Sequence, residues 1–122
     1  MFPEPGRRLA IALISADKRE NFTLDISRAR LKLTKVTYQN RARQAVILMR
    51  LDLDGPPHRN PDYEEIPCPH LHVYREGYGD KWAYPAPPDR YPNADDLFST
   101  FYEFMRHCNI KDLPRVEKGL FS

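Results

Sequence analysis

The sequence predicts an α+β fold, an antiparallel sheet of five or six strands covered by one long C-terminal helix. Two patterns carry this prediction. Short runs alternate apolar and polar residues with the period of a strand, and a later stretch repeats its apolar residues at helical spacing. The length of 122 residues adds a third constraint, since it leaves room for one modest core and no second one. Residues 1–122 are therefore expected to form a single α+β domain.

Leu9 to Ile14 is the first β-capable run. Phe22, Leu24 and Ile26 then alternate with Thr23 and Asp25 as a half-buried strand requires, after a polar turn at Asp17 to Asn21. Leu31 and Leu33 keep the alternation but Val36 breaks it, so a bulge or turn is expected before Val36 to Tyr38. Ala45 to Leu53 carries apolar residues on both parities and reads as a central strand, ended sharply by Asp54, Gly55, Pro56 and Pro57. A strand through His70 and His72 follows, then the turn-forming Gly77 and Gly79 and a short return strand. Prolines make Ala83 to Pro92 irregular. Asn93 is expected to cap the helix, with Asp95 and Asp96 in its positive first turn. Leu97, Phe101, Phe104, Met105 and Cys108 form its apolar stripe, widened by Phe98 and Tyr102. His107 reads as a surface residue compensating the helix dipole, and Leu113 to Ser122 as a tail that Pro114 keeps from being helical.

The chemistry concentrates between Pro56 and Trp82, where His58, Cys68, His70 and His72 supply three of the four histidines and one of the two cysteines. Imidazole and thiolate are the donors zinc prefers, and four of them make a structural tetrahedron. A strand sends alternate side chains to one face at about 3.4 Å per residue, so His70 and His72 point the same way with Cα atoms roughly 7 Å apart. Cys68 shares their parity, but in a straight strand it would lie about 13 to 14 Å from His72. A kink at Pro67 and Pro69 is required to swing its thiolate in. His58 arrives from the preceding loop, and Asp62, Glu64 and Glu65 are reserve oxygen ligands. The competing reading of the His-X-His pair is two histidines hydrogen-bonded to their neighbours.

After this cluster Tyr74, Tyr78, Trp82 and Tyr84 alternate with Arg75, Glu76, Asp80 and Lys81. Large aromatics beside charges suit an interface anchor or a stacking platform, with Tyr74, Arg75, Tyr78 and Trp82 as the candidate contacts; packing across a hairpin is the structural alternative. The formal net charge of +2 hides an asymmetry: Ile26 to Leu51 holds seven basic residues and no acid, leaving −5 elsewhere. Arg28, Arg30, Arg41 and Arg43 in this segment are candidate partner contacts, for nucleic acid or an acidic protein, unless they face the acidic half of the same molecule. At 41 per cent hydrophobic and 30 per cent charged residues, the composition is globular rather than disordered. No apolar run approaches membrane length and no signal-type segment precedes the first strand, so a cytoplasmic location in a bacterial host is expected, with no disulfide between Cys68 and Cys108.

The stretch from Thr23 to Pro85, with its run PCPHLHVYREGYGDKWA, resembles a family of small bacterial and prophage proteins carrying a similar NPDG and PHxHxYREGYGDKWA pattern. Here Tyr63 follows Asp62 where the family pattern often has glycine, which alters the turn of that loop. In size and character the chain is similar to phage-encoded anti-CRISPR inhibitors. That resemblance implies inhibition of a host defence nuclease, a type II RNA-guided effector, and together with the ligand cluster it gives the expectation of a zinc-stabilised, non-enzymatic protein acting by stoichiometric binding. Two other functions compete with it: a metal-dependent hydrolase or nuclease using the same cluster, with Glu64, Glu65 or Glu76 as base, and a direct nucleic-acid binder using residues 28–50. Four nitrogen and sulfur ligands and the lack of an HExxH helix favour the closed, structural zinc.

Overall fold

The computed structural model describes residues 1–118. Its strands are β1 (Arg8–Ile14), β2 (Asn21–Arg28), β3 (Val36–Ala42), β4 (Val46–Asp52), β5 (His58–Arg59), β6 (Glu65–Ile66), β7 (His70–Val73) and β8 (Ala83–Pro85), followed by the helix α1 (Leu97–His107). Six strands form one antiparallel sheet in the order β1-β2-β3-β4-β7-β8, and β5 pairs with β6 in a separate small hairpin. The antiparallel sheet with a helix near the C-terminus agrees with the expected α+β class. β4 lies inside the sheet between β3 and β7, as its apolar residues on both parities predicted.

Strand alternation divides the sheet into two unlike faces. Leu24, Ile26, Val36, Tyr38, Leu51, Leu53 and Leu71 point to one side, where Phe101, Phe104 and Met105 of α1 complete the core. Phe2, buried although it precedes the first strand, wedges edge-on against Tyr38 and Phe101. The Tyr38 hydroxyl donates to Leu97 O at 2.6 Å, so the polar atom this tyrosine brings into the core is satisfied by the start of the helix. The opposite face carries Asp25, Gln39, Arg41, Arg50, Asp52, His70 and His72, and the β5–β6 hairpin sits beside it. Asn60 ties that hairpin down: its side chain donates to Ala83 O at 3.0 Å and accepts from Ala83 N at 2.8 Å, completing the edge of β8 as a strand would.

The helix is shorter than the sequence suggested, 11 residues rather than a long cover. Asn93 does not cap it. Its carbonyl accepts from Asp96 N in a turn, and Asp96 is the N-cap, accepting from Ser99 N at 3.1 Å. The other end is set by Asn109, whose φ of 60° lets Asn109 N and Ile110 N turn back onto the carbonyls of Arg106 and Met105. His107 is half-buried and meets the Tyr91 hydroxyl at 2.8 Å instead of standing free on the surface. Leu31 and Leu33 also depart from expectation. The chain closes a loop from Ala29 N to Lys35 O, leaving Leu31 96 % exposed and in no strand. The turn expected before Val36 is present, closed by Lys35 N donating to Lys32 O, and a separate irregularity falls at Asn40/Arg41 in the β3–β4 pairing. The tail packs back through Val116 and through Phe2 N donating to Glu117 O, and the rest of it, beyond Lys118, lies outside the described residues.

Loss of the cap in Asp96→Ala should lower the unfolding free energy by about 1 kcal/mol at neutral pH in urea denaturation. Hydrogen bonds from the Ser99 backbone and hydroxyl hold the Asp96 carboxyl below its usual range. Its stabilisation is thus complete above the ordinary carboxylate pKa and is lost as pH falls through the lowered one, so the gap between variant and wild type should narrow in acid.

Candidate metal centre

The site is built by pairing β4 with β7. Register places Asp52 opposite His70 and Arg50 opposite His72, all on the polar face, where directly opposed side chains stand about 5 Å apart. Donor atoms of Asp52, His70 and His72 lie within 4.8 Å of one another, which makes them a possible metal-binding triad. His70 Nε2 is 3.0 Å and His72 Nε2 3.3 Å from the same oxygen, Asp52 Oδ2. Both rings are buried, His70 3 % and His72 1 % exposed.

Two backbone carbonyls hold these rings. His70 Nδ1 lies 3.0 Å from Ile66 O, and His72 Nδ1 2.7 Å from Asp80 O. A carbonyl only accepts, so each Nδ1 carries a proton and each Nε2 is turned to the carboxylate, the arrangement that commonly orients a metal-binding imidazole. Nε2 of His70 then faces an acceptor with no proton left in a neutral ring. That contact calls for positive charge, either a second ring proton or a cation at Nε2. At His72 the charge is already present, because Arg50 Nη2 donates to His72 Nε2 at 2.9 Å and to Asp52 Oδ2 at 3.1 Å while Nη1 reaches Asp80 Oδ2 at 3.1 Å. Burial opposes ionisation of Asp52, but its contacts with the His70 and His72 rings, the Arg50 charge and the Thr37 hydroxyl outweigh it and hold the carboxyl well below its usual range. Asp52 is therefore an anion at neutral pH. The donor set fits a divalent transition metal, and Arg50 occupies part of the same space.

Of the four metal ligands expected from sequence, His70 and His72 meet in this group. His58 stands beside it, its ring centroid 4.5 Å from that of His72, with Nε2–H donating to Lys81 O at 2.6 Å. Cys68 lies behind His70, Sγ 3.5 Å from Nδ1, the nitrogen directed away from Asp52. Burial, then the charges of Asp52 and Asp54, push its thiol pKa up, which disfavours the thiolate a metal would need. The reserve carboxylates are elsewhere: Asp62 accepts from Glu64 N, Glu64 is exposed, and Glu65 pairs with Arg59. Asp52 was missed by the sequence reading. Its signal was strand parity, since it shares the polar side of β4 with Arg50 once that strand is paired to the His-X-His strand. A cleft of about 450 Å³, lined in part by Asp52, His58, Cys68 and His70, opens beside the triad.

The basic segment is largely neutralised within the molecule. Arg41 pairs with Asp25 at 2.7 Å, Arg43 with Glu20 at 3.2 Å, and Arg50 with Asp52 and Asp80. Arg28 is buried, stacked over Phe2 and donating to Pro3 O, while Arg30 remains exposed. At the predicted aromatic contact, Arg75 stacks on Trp82 with its guanidinium 4.5 Å from the ring centroid and 5.6 Å from that of Tyr78. Tyr74 and Tyr78 are exposed.

No helix among the described residues is long and apolar enough to cross a membrane. No curated protein and no solved structure matches the chain. A model described as a family of unknown function (DUF6978) matches residues 1–110, nearly the whole chain, and the protein belongs to that family.

Proposed function

We propose that the protein binds one zinc ion through Asp52, His70 and His72 and uses the position left open toward the cleft for metal-dependent hydrolysis. The observation that carries this reading is the geometry at His70: the ring is buried, Nδ1 is bound to a carbonyl and Nε2 is aimed at an ionised carboxylate, a place where a bound cation fits. Three donors rather than four favour an open centre over the closed staple expected from sequence, because His58 and Cys68 direct their polar atoms elsewhere. A zinc ion held by Asp52, His70 and His72 would supply Lewis acidity for the activation of water. The chain's own part is to fix both imidazoles through Ile66 O and Asp80 O, keep Asp52 ionised, and hold Arg50 near enough to compete for the same lone pairs.

The cluster of Arg75, Trp82 and Tyr78 on an exposed turn supports a second reading, a stoichiometric binding protein directed at a type II RNA-guided nuclease. Under it, inhibition of target cleavage tracks the molar ratio of protein to effector and is lost in a Tyr78→Ala, Trp82→Ala variant; no inhibition under any order of addition removes it.

Calorimetry on chelator-treated protein should give about one zinc per chain, and His70→Ala or His72→Ala should abolish it. Binding should also raise Tm, by about 2.7 kcal/mol of stability at a free-metal concentration 100 times Kd. Cobalt substitution separates the open from the closed centre. An open site gives a visible spectrum that changes when azide is added and no sulfur-to-cobalt charge transfer; a thiolate band insensitive to azide would restore the four-ligand site with Cys68. Since a charge-assisted hydrogen bond is worth about 1.5 kcal/mol or more, Arg50→Gln should tighten zinc binding about tenfold. Weaker binding in that variant would mean that Arg50 orients Asp52 rather than competing with the ion.

A further inference from the structure

We propose that the polar face holds a phosphate-binding cleft beside the triad, and that the substrate of the centre is a small phosphate monoester gripped there by its phosphate. The proposal rests on the hydrolytic reading for the fate of the substrate's other end, but not for the phosphate site itself. One cross-strand row carries the geometry. Arg8, Ser27, Thr37, Asp52 and His70 are consecutive register partners across β1, β2, β3, β4 and β7, so their side chains share one face.

A second cleft, about 400 Å³, lies over the β1 end of this row. Its lining includes Arg8, Ser27, Arg28, Lys35 and Thr37 and no carboxylate. Ser27, Lys35 and Thr37 line the cleft beside the triad as well, so the two join. Arg8 and Lys35 are exposed, and neither takes part in an ion pair found among the described residues, unlike Lys32, Arg41, Arg43 and Arg50 of the same sheet and its loops. Arg28 directs its guanidinium inward to Pro3 O. Two cations beside a serine hydroxyl, with no acid in the lining, suit a compact dianion rich in acceptor oxygens.

Thr37 stands where the basin meets the metal centre. Its hydroxyl donates to Asp52 Oδ1 at 2.9 Å, so it belongs to the triad's support. Neighbouring strands are about 4.8 Å apart, which puts a phosphate over Ser27 roughly 10 Å from Asp52. At that distance the phosphate is a handle rather than the reacting group. The bond to be hydrolysed belongs at the far end of the molecule, over His70.

The test uses chelator-treated full-length protein, so that the phosphate site is read without metal. Phenyl phosphate is titrated into the protein and followed by amide chemical shifts, with Arg8→Gln, Lys35→Gln and the double variant in parallel; unchanged Tm confirms that these exposed substitutions leave the fold intact. The expected result is saturable binding with shifts at Ser27, Lys35 and Thr37, weakened at least tenfold in the double variant and retained in His72→Ala. Absence of binding, or equal affinity in the double variant, overturns the cleft whatever the zinc measurement gives. An oligothymidylate lacking a terminal phosphate that binds the same residues as tightly overturns the monoester class in favour of a nucleic-acid strand. Failure of zinc binding with phosphate binding intact removes the metal centre and leaves the phosphate site standing.

Discussion

Two peptide carbonyls, Ile66 O and Asp80 O, set the chemistry of the polar face. Each takes the Nδ1 proton of one buried imidazole and leaves the other nitrogen directed at Asp52. The carbonyls come from segments outside the paired region, the β5–β6 hairpin and the turn after β7, so the rings are fixed by parts of the chain far from β4. The carboxylate is fixed independently, by Thr37 and Arg50. Orientation of the site is thereby distributed over the sheet and both loops, while ordering of those loops depends in turn on Asn60 completing the edge of β8.

Most of the sheet could be read from alternation alone, because a strand with one buried face writes its register into its sequence. Leu24 and Ile26 against Asp25 illustrate it. The failures have local causes. Leu31 and Leu33 alternate correctly but lie in the loop between β2 and β3, and periodicity over two leucines cannot report which hydrogen bonds the backbone makes. The helix start moved from Asn93 to Asp96 because both residues favour capping and only packing of Thr100 and Phe101 chooses between them. Phe2 carried no periodic signal at all.

For the site, the His-X-His pair was legible because both histidines sit on one strand. Asp52 was not, because it becomes a neighbour only through the pairing of β4 with β7, eighteen positions apart in sequence from His70. Proximity along the chain favoured Cys68 instead, and the fold places that thiol on the wrong nitrogen. Charge counting had a similar limit. The excess between Ile26 and Leu51 looked like an outward-facing basic surface, yet Asp25, Glu20, Asp52, Asp54 and Asp80 meet most of it across strands and loops.

The two faces of the sheet also separate what can vary from what cannot. His70 and His72 are buried and Asp52 is partly so, yet none of the three contributes to the apolar cluster that Phe101 and Phe104 complete on the other side. Substitutions at Arg50, Asp52, His70 or His72 therefore share no packing partners with the core, and effects at sites without shared partners are close to additive. The backbone acts as a partition between two nearly independent selection problems: one side is judged on packing, the other on chemistry. Exchange of a donor on the polar face is thus felt through its hydrogen-bond partners, Ile66 O, Asp80 O, Thr37 and Arg50, and not through the packing of Phe101 and Phe104.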